Sequence, residues 1–510
     1  MVKMNRQTSL DKISTVDTWD IIIIGGGATG MGIALDATTR GLKTLLVEKG
    51  DLANGTSSRS TKLVHGGVRY LKQFHFKLVF EAIKERKIIL KNAPHLSSAL
   101  PFIIPIYSYF NMLYYGIGLF LYEMLAGWGS NIGRTTLLSR KSTINNLPFI
   151  KTKNLKGGIL YYDAQFNDSQ LCIDIAATAT NNDATIINYF ECADFIKSNE
   201  KVIGIQGVDR LSQKKYTIKG KNIINATGVF SDTILQMDDP KKSSIIKPSK
   251  GVHLVFNDPG KTLTKYALMS PIKQDDRVIF VIPWMGKLLV GTTDTPIEKI
   301  TTEPAASMED VAYLLYLYNS LSENKIDKNS VVSMFAGLRP LIKLSDEDAT
   351  ALISREHSIL TSASGIITIA GGKWTTYRKM AEDVMELVIA NQKLPNSKCK
   401  TEYISVDISA VKNKTIESYI LSDKSLAEKI HPAFSFTKAQ VVYAIQHEMA
   451  MTIEDVLARR IRLLFLDAKA AIEAAKEVAK IFVNYANKED EQMKEQMVAF
   501  EKIANKYLLN

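Results

Sequence analysis

The chain has 510 residues, which is too long for one simple core and favours two domains. Its content of 46% hydrophobic and 23% charged residues is ordinary for a globular protein and excludes wholesale disorder. The formal net charge of +11 and the sequence pI of about 9.1 favour an anionic partner, namely a phosphorylated substrate, an acidic membrane surface or a nucleic acid.

The three cysteines, Cys172, Cys192 and Cys399, form no C-x-x-C pair, and no His/Cys cluster has the spacing of metal ligands. This cysteine usage fits a reducing compartment, and we expect no metal site. Residues 1–19 are polar and predict a loose tail without the apolar stretch of a secretory signal. We therefore expect the body of the protein to be cytoplasmic.

A strand, a glycine turn and a helix open the main body of the chain. Residues 20–24 are rich in β-branched side chains and predict a short buried strand, and a helix follows through roughly residue 40. Between them, residues 25–30 match G-x-G-x-x-G in the strand–turn–helix context that the motif requires. Gly25 permits the tight turn, Gly27 lets the backbone approach a pyrophosphate, and Gly30 lets the helix pack close to the sheet.

The next predicted strand, Thr44–Val47, ends at Glu48, eighteen residues after Gly30. The Glu48 carboxylate can accept hydrogen bonds from ribose hydroxyls, so this βαβ unit predicts a dinucleotide site. The glycine motif with Glu48 does not distinguish an NAD-binding site from an FAD-binding site.

Three further features favour FAD. An apolar strand at residues 221–225 runs into Ala226-Thr227-Gly228, a pattern typical of two-dinucleotide-binding flavoproteins. Residues 365–372 repeat this pattern near the end of the catalytic region. Residues 56–70 form a polar loop, rich in Ser and Thr, that is suited to cradling phosphates and flavin.

The stretch from Asn92 to Tyr122 contains no Asp, Glu, Lys or Arg and is long enough to span a bilayer. Pro101, Pro105, Asn111 and five tyrosines argue against a span, which would also put the motifs of one FAD site on opposite sides of a membrane. An interfacial segment at a membrane–water boundary is one interpretation. A helix pair buried in the core is the other.

Alternating apolar residues predict a separate antiparallel substrate sheet from residues 251–256, 277–282 and 287–292. The polar stretch at residues 394–401 predicts a linker. Beyond it, residues 435–510 are helical in pattern, with apolar residues at helical spacing in residues 453–466 and 468–485.

Residues 56–71 resemble the signature of FAD-dependent glycerol-3-phosphate dehydrogenases. Later motifs are similar to those of the same family, in the family's order, at residues 93–96, 280–284, 291–294, 337–341 and 371–378. The similarity runs from about residue 20 to residue 390. The C-terminal region, which includes Leu457-Ala458-Arg459-Arg460, also resembles the family's cap domain.

The resemblance implies an α/β fold with three parts. These are a Rossmann-like FAD-binding domain, an antiparallel-sheet substrate domain of the glycine/D-amino-acid-oxidase kind, and a C-terminal all-α domain. The expected boundaries are a tail at 1–19, an FAD-dependent oxidoreductase region at 20–395 and a helical cap domain at 396–510. The implied reaction is oxidation of sn-glycerol 3-phosphate to dihydroxyacetone phosphate by hydride transfer to FAD.

The fingerprint and the resemblance together give a set of cofactor-binding positions. These are Gly25, Gly27, Gly30, Glu48, Thr56, Ser57, Ser58, Ser60, Lys62, Leu63, His65, Gly66, Gly67, Ala226, Thr227, Gly228, Gly371, Gly372, Lys373, Trp374 and Thr375.

The resemblance also implies the residues that contact the substrate. Arg69, Arg339 and Arg355 match positions near it, and arginine suits phosphate because its planar fork donates two aligned hydrogen bonds. Tyr70 adds a hydroxyl, and Lys373 can reach a substrate oxygen and the flavin.

Two histidines are candidates for the base that takes the alcohol proton, since a histidine has a pKa near neutrality. His253 matches a substrate-site position, and His65 lies in the polar stretch at residues 56–70, so both remain open. The predicted catalytic set is His65, His253, Arg339 and Lys373, and the predicted substrate-binding set is Arg69, Tyr70, His253, Arg339, Arg355 and Lys373.

Family members that resemble this chain are peripheral membrane enzymes that pass electrons to quinone. The apolar residues 100–122 and the positive charge suit an anionic membrane surface, so we expect association with the inner face of the cytoplasmic membrane. The resemblance is compatible with a homodimer. Nucleic acid is not expected, because basic runs such as Lys241-Lys242 are short and lack interleaved aromatic residues.

Three alternatives remain open at this point. The first is an oxidase of the same family that reduces O₂ to hydrogen peroxide. The second is an amine or amino-acid oxidase, since one fold serves several substrates. The third is an FAD-binding protein without enzymatic activity.

Overall fold

A computed structural model of the protein describes residues 4–67, 76–125, 132–257, 264–272, 277–343, 357–392 and 397–509. The predicted substrate residues Arg69, Tyr70 and Arg355 lie outside these ranges, as does the expected domain boundary at residues 395–396.

Within the described ranges the strands are β1 (Trp19–Ile24), β2 (Thr44–Val47), β3 (Leu63–Val64), β4 (Ser97–Ile106), β5 (Thr136–Ser139), β6 (Gly157–Phe166), β7 (Thr185–Ile187), β8 (Phe190–Ser198), β9 (Lys201–Asp209), β10 (Lys215–Asn225), β11 (Ile246–Phe256), β12 (Ala267–Pro271), β13 (Val278–Trp284), β14 (Lys287–Gly291), β15 (Thr295–Pro296), β16 (Val331–Ile342), β17 (His357–Thr361) and β18 (Ile367–Gly371).

The helices of the same ranges are α1 (Arg6–Thr15), α2 (Ala28–Thr39), α3 (Phe76–Asn92), α4 (Tyr109–Leu125), α5 (Arg140–Asn146), α6 (Asp168–Asn181), α7 (Ser231–Asp238), α8 (Met308–Leu321), α9 (Tyr377–Gln392), α10 (Ser409–Ser422), α11 (Lys438–His447), α12 (Leu463–Leu466), α13 (Ala468–Ala486) and α14 (Asp490–Ala504).

Strand β1 is at the centre of a parallel sheet in the order β18-β10-β1-β2-β7. Both faces of β1 are buried. Ile21 and Ile23 belong to an apolar cluster with α2, α6 and α9, whereas Ile22 and Ile24 belong to one with β8 and β9. Burial on both faces explains why this strand is a continuous apolar run rather than an alternating one.

A second, larger sheet has the order β15-β11-β14-β13-β12-β4-β6-β3, with β16 beside β11 and β5 beside β6. Its pairs are antiparallel except for β4 with β12. The three stretches predicted to form an antiparallel sheet are β11, β13 and β14, which lie side by side, so that prediction is confirmed. The register puts His253 of β11 opposite Gly291 of β14 and Phe335 of β16.

Residues 4–16 are not a loose tail, so that prediction is wrong for them. They include α1, which is anchored to the parallel sheet by polar side chains. Arg6 donates to the carboxylate of Asp209 at 2.6 Å and to the carbonyl oxygen of Asn188 at 3.0 Å. Ser9 donates to the carbonyl oxygen of Ile186 at 2.8 Å. Ile13 is also buried, in the apolar cluster of β1, β8 and β9, but a few apolar residues in a polar segment were too weak a pattern to predict the helix.

The charge-free stretch is divided between β4, inside the second sheet, and α4, so the interpretation as a buried helix pair is wrong. The buried side chains of α4 are Leu119 and Tyr122, whereas Phe110, Leu113 and Ile117 are 62% to 75% exposed. Burial in the sheet accounts for the apolar character of β4. It does not account for that of α4, which presents an apolar surface to solvent.

No helix within the described residues combines the length and the apolar character needed to cross a bilayer.

The chain beyond residue 408 is helical, as predicted, and contains α10 to α14. The predicted helix at 468–485 is α13, but the one predicted at 453–466 is interrupted. It consists of a π-helical turn, Asp455–Arg460, followed by Arg462 with φ of +65° and the short α12. A π-helical turn often marks a functional position. The largest apolar cluster joins the second sheet to α11, α12 and α13, so these helices share a core with that sheet.

Replacing Arg6 with alanine is expected to lower the free energy of unfolding at pH 7 by about 1–3 kcal/mol, because the Asp209 carboxylate then loses its guanidinium partner. Burial raises the pKa of Asp209, but hydrogen bonds from Arg6 and Ser212 bring it below its usual value. The contribution is therefore present above about pH 4, the ordinary pKa of aspartate, and is lost as the pH falls through the folded-state pKa.

Denaturant unfolding at pH 7 and pH 3 measures this difference. The control is Lys12→Ala, on the exposed side of α1, which should change little. An equal loss in both variants, or a loss from Arg6→Ala that grows in acid, would contradict the assignment.

Candidate active site

A cavity of about 580 Å³ lies at the carboxyl ends of β1, β10 and β18 and extends to the second sheet. Ligands of open α/β sheets bind at this edge. His253 and Arg339 line the cavity, and so do most of the predicted cofactor positions, which are Gly25, Gly27, Glu48, Thr56, Ser57, Ser60, Leu63, His65, Ala226, Thr227, Gly228, Gly371, Gly372, Lys373, Trp374 and Thr375.

The turn between β1 and α2 requires glycine at two positions. Gly25 has φ of +115°, and a Cβ there would lie 2.6 Å from the carbonyl oxygen of Ala226. A Cβ on Gly30 would lie 2.0 Å from the carbonyl oxygen of Gly25. These close approaches bring the N-terminus of α2 to the cavity wall at residues 27–29. The N–H groups and the positive dipole end there suit a pyrophosphate.

Ser57 closes the loop over this helix end. The N–H of Ala28 donates to the Ser57 hydroxyl at 2.9 Å, which shows that the first N–H of α2 faces an oxygen at the cavity wall. The indole N–H of Trp374 donates to the carbonyl oxygen of Ser57 at 2.9 Å. Residues from two distant predicted motifs are therefore held together at the phosphate end of the cavity.

Glu48 holds the turn as well as lining the cavity. Its Oε2 accepts a hydrogen bond from the N–H of Gly26 at 2.6 Å, and its Oε1 accepts one from Gly50 at 2.7 Å. Burial raises the pKa of Glu48 above its usual value, against the effect of these two donors. Each carboxylate oxygen retains a lone pair for a ribose hydroxyl.

Asn225 orders the turn that follows β10. Its Oδ1 accepts hydrogen bonds from the N–H and the hydroxyl of Thr227, at 3.3 and 2.7 Å. Its Nδ2 donates to the carbonyl oxygen of Ser231 at 3.0 Å. The side chain of Asn225 thus fixes the Ala-Thr-Gly backbone against Gly25 on the neighbouring strand.

Arg339 of β16 is held at the cavity wall by polar groups of the second sheet. Its Nη1 donates to the Asp294 carboxylate at 3.2 Å, and the Ser249 hydroxyl donates to the same carboxylate. Its Nη2 donates to the Thr292 hydroxyl and to the carbonyl oxygen of Thr293, each at 3.1 Å. These contacts fix the plane of the guanidinium, and a fixed plane suits the recognition of phosphate or carboxylate.

His253 is 2% exposed, and its ring stacks on Phe335 with the centroids 4.9 Å apart. Its Nε2 lies 3.0 Å from the Thr61 hydroxyl oxygen, and its Nδ1 has no hydrogen-bond partner among the described residues. Burial, together with the positive charges of Lys62 and Arg339, holds the pKa of His253 well below its usual value. The ring is therefore neutral at physiological pH.

His65 lines the first cavity and also a second one of about 1530 Å³, as do Thr61, Leu63 and Arg339. The second cavity is lined mainly by aliphatic and aromatic side chains of β4, α4 and β13. It connects the wall that carries His65 to the apolar helix α4.

Five predicted cofactor positions do not line the first cavity as the described residues outline it. These are Gly30, Ser58, Lys62, Gly66 and Gly67. The Lys62 ammonium is fully buried and donates to Asp168 at 2.7 Å and to the carbonyl oxygen of Ser58 at 2.8 Å. The N–H of Gly66 donates to the Tyr122 hydroxyl at 2.9 Å. Lys62 and Gly66 therefore support the residues that line the cavity without lining it themselves.

The sequence did not reveal which groups hold the predicted side chains in place. Asp294 orients Arg339 and lies in a recognised motif, so a signal for it was present. Thr61 contacts His253 only because the loop and the second sheet meet in space. Asp168 lies outside every recognised motif, and only the structure shows that it binds Lys62.

Comparison with known families gives two matches along the chain. A family model described as "FAD dependent oxidoreductase" matches residues 20–378. A second, described as the C-terminal domain of alpha-glycerophosphate oxidase, matches residues 409–493.

Individual proteins resemble the whole chain. The mitochondrial glycerol-3-phosphate dehydrogenase of Macaca fascicularis is 36% identical over 543 aligned positions, which cover 97% of this chain and 74% of that protein. The structure of the glycerol-3-phosphate dehydrogenase from Bacillus halodurans complexed with FAD has 30% identity and a TM-score of 0.80, covering 99% of this chain and 98% of the other. A glycine oxidase from Bacillus cereus, with 18% identity and a TM-score of 0.55 over 73% of this chain and 96% of its own, shares the fold.

Replacing Gly25 with alanine is expected to abolish high-affinity binding of the dinucleotide, because the new Cβ would displace the Ala226 backbone from the turn. Gly41→Ala is the matched control. Gly41 also has a positive φ, of +86°, but a Cβ there meets nothing within 4 Å. Backbone strain of about 1–2 kcal/mol is then common to both variants.

Flavin retained after gel filtration, read from its visible absorbance, measures the difference. Retention by Gly25→Ala equal to that of Gly41→Ala would show that the close approach to Ala226 does not matter for binding.

Proposed function

The chain belongs to the FAD-dependent glycerol-3-phosphate dehydrogenase family, and we propose that it oxidises sn-glycerol 3-phosphate to dihydroxyacetone phosphate. FAD is its cofactor. One observation carries the proposal: a single cavity joins a dinucleotide cradle to Arg339, Lys373 and two histidines.

The residues of the cradle fit FAD. The glycine turn and the N-terminus of α2 would hold the pyrophosphate, and Glu48 would hold the ribose. Gly371, Gly372 and Trp374 line the part of the cavity that follows β18 and would contact the flavin. FAD supplies the acceptor for a hydride when it is bound.

The substrate is a small phosphate dianion with a secondary alcohol at C2. The guanidinium of Arg339, fixed by Asp294, would bind the phosphate and thereby orient C2. The family resemblance adds Arg69, Tyr70 and Arg355 to this pocket. Lys373 lines the same cavity, and its ammonium would stabilise negative charge that develops on the C2 oxygen.

His65 is the better candidate for the base. It lies where the two cavities meet, whereas His253 is almost fully buried and its Nε2 already contacts the Thr61 hydroxyl. A depressed pKa also makes His253 a poor acceptor of a proton. We assign removal of the C2 hydroxyl proton to His65. The neutral ring of His253, stacked on Phe335, would shape the pocket and accept a hydrogen bond.

Anaerobic glycerol 3-phosphate is expected to bleach the flavin absorbance of the holoenzyme. His65→Gln should slow this step by about 10²- to 10⁴-fold, and His253→Gln by less than about tenfold. A base must be neutral to act, so the wild-type rate should rise with pH as the base loses its proton, and His65→Gln should lose that rise.

Stopped-flow absorbance across pH 5–9 measures both effects. If wild-type holoenzyme is not bleached, the proposed function is wrong. An unaltered rate and pH profile in His65→Gln would instead reject only the choice of base.

We also propose that the reduced enzyme passes its electrons to a membrane quinone, with the protein bound peripherally to the inner face of the cytoplasmic membrane. The exposed side chains of α4 support this, since large apolar patches on a soluble surface mark interaction sites. The second cavity supports it as well. It is bounded by α4 at one side and by His65 at the other, and its walls are largely apolar, as a hydrophobic acceptor requires.

The double variant Phe110→Asp/Leu113→Asp is expected to reduce binding to anionic phospholipid vesicles at least about tenfold, because each side chain would lose about 1.5–3 kcal/mol of apolar burial. Reduction of quinone held in the vesicles should fall in parallel, and flavin reduction by glycerol 3-phosphate should be unchanged. Leu421→Asp, at a 73% exposed position on α10, is the control.

Vesicle co-sedimentation and anaerobic quinone reduction measure these effects. Unaltered vesicle binding in the double variant would contradict the role of α4. Formation of one hydrogen peroxide per glycerol 3-phosphate in air, with no reduction of quinone, would identify an oxidase instead.

A further inference from the structure

The flavin loop, residues 51–62, connects β2 to β3 and has two sides. One side lines the cavity through residues 54–57 and 59–61. The other side faces the C-terminal helices. There it is met by residues 455–462, which we call the arginine turn and which comprise the π-helical turn and Arg462.

The start of the flavin loop is bound by two guanidinium groups. Arg460 donates to both oxygens of the Asp51 carboxylate, at 2.7 and 2.9 Å. Arg459 donates to the same carboxylate at 2.5 Å and to the side-chain oxygen of Asn54 at 3.2 Å. Asp51 is 1% exposed, and although burial raises its pKa, the two guanidinium groups bring it below its usual value. The carboxylate is therefore ionised and doubly paired.

The middle of the flavin loop is bound by the third arginine. Arg462 is fully buried and donates to the carbonyl oxygen of Ser58 at 2.7 Å and to Asp168 at 3.3 Å. Lys62 donates to the same carbonyl oxygen, at 2.8 Å. The Ser58 carbonyl oxygen is thus held from behind by Arg462 and Lys62, while the hydroxyl of the preceding Ser57 accepts from the first N–H of α2.

The last residues described in the chain make a further contact with this loop. Tyr507 donates to the Glu303 carboxylate at 2.7 Å, and Arg59 of the loop donates to the same carboxylate at 2.5 Å. Arg59 lines the cavity, and so does Thr302, which precedes Glu303 in the chain. The C-terminal domain therefore contacts the loop near its beginning and in its middle.

Arg459, Arg460 and Arg462 do not line the cavity that the described residues outline, so they are positioned to act on a ligand only through the loop. We propose that the arginine turn of the C-terminal domain holds the flavin loop in the conformation that binds FAD, so that retention of FAD depends on the C-terminal domain. This role rests on FAD as the cofactor and does not depend on the identity of the substrate.

The physical reason is preorganisation. A loop of a dozen residues that is free to move must be ordered each time FAD binds, and that cost weakens binding. Buried guanidinium–carboxylate pairs with two aligned hydrogen bonds order it in advance. Loss of one such bond should increase the rate of FAD release without altering the groups that touch FAD.

The test compares Arg460→Lys with Arg40→Lys in purified holoenzyme. Lysine retains the charge but cannot make the paired hydrogen bonds. Arg40 is a matched control, because it makes the same two-bond contact, at 3.1 and 2.9 Å, with the buried Asp36 at the far end of α2. Arg462→Lys is a second variant, at the contact with Ser58 in the middle of the flavin loop.

We expect Arg460→Lys and Arg462→Lys to raise the Kd for FAD at least about tenfold, which corresponds to about 1.4 kcal/mol, while Arg40→Lys changes it less than about twofold. The readouts are FAD release after dilution, followed by flavin fluorescence, and the thermal midpoint as a function of added FAD. Excess FAD should restore the midpoints of the two turn variants towards that of the wild type.

Two results would overturn the proposal. One is a lowered thermal midpoint in the turn variants that persists at saturating FAD, with FAD release unchanged, because that would show a purely structural role. The other is faster FAD release in Arg40→Lys to the same extent as in the turn variants. Neither result bears on flavin reduction by glycerol 3-phosphate, so failure here is distinct from failure of the proposed function.

Discussion

A fully buried carboxylate, that of Asp168 at the start of α6, holds together the parts of the molecule that form the site. Its oxygens accept hydrogen bonds from the N–H and hydroxyl of Ser60, the ammonium of Lys62, the guanidinium of Arg462 and the N–H of Ser169. These donors come from the flavin loop, the C-terminal domain and α6 itself. An ionised group out of water is stable only with such a set of partners, so all three parts must be in place together.

The shared carboxylate also sets the charge of this region. Burial lowers the pKa of Lys62 to about 7, with Arg462 adding to the effect and Asp168 opposing it. Lys62 lies over the rings of Trp284, Phe335 and Phe465, at 4.9 to 5.5 Å from their centroids. Phe335 also stacks on His253. Lys62 therefore links the cavity wall, through Phe335 and His253, to the contacts that attach the C-terminal domain.

The arrangement of two sheets decides which chemistry the cavity supports. The parallel sheet brings the glycine turn of β1 and the end of β10 within van der Waals contact, which creates the phosphate cradle. The second sheet brings His253 and Arg339 to the same cavity from β11 and β16. The flavin loop contacts elements on both sides. Its Ser57 hydroxyl accepts from the first N–H of α2, which follows β1, and its Thr61 contacts His253 of the second sheet. The glycine turn, the flavin loop and the side chains of His253 and Arg339 are therefore parts of one constrained unit.

Local patterns were enough to predict the elements of the FAD domain, because a strand buried on both faces, a glycine turn and a helix each leave a periodic or compositional mark. Three strands of the second sheet, β11, β13 and β14, were predicted from the alternation of their apolar residues. The helix α1 was not, since Arg6 and Ser9 anchor it through contacts with residues almost two hundred positions away. The charge-free stretch could not be divided correctly, because burial in a sheet and exposure on a helix give the same apolar composition.

The sequence by itself determined the family, the cofactor and a set of motif residues, most of which line the cavity. Tertiary structure alone decided how those side chains are held and which of them face the cavity. Lys62 and Ser58 belong to the flavin motif, yet they lie behind the loop, bound to Asp168 and Arg462 from regions more than a hundred residues away. Contacts between such distant residues depend on burial and charge balance in the folded protein, so no local sequence pattern predicts them.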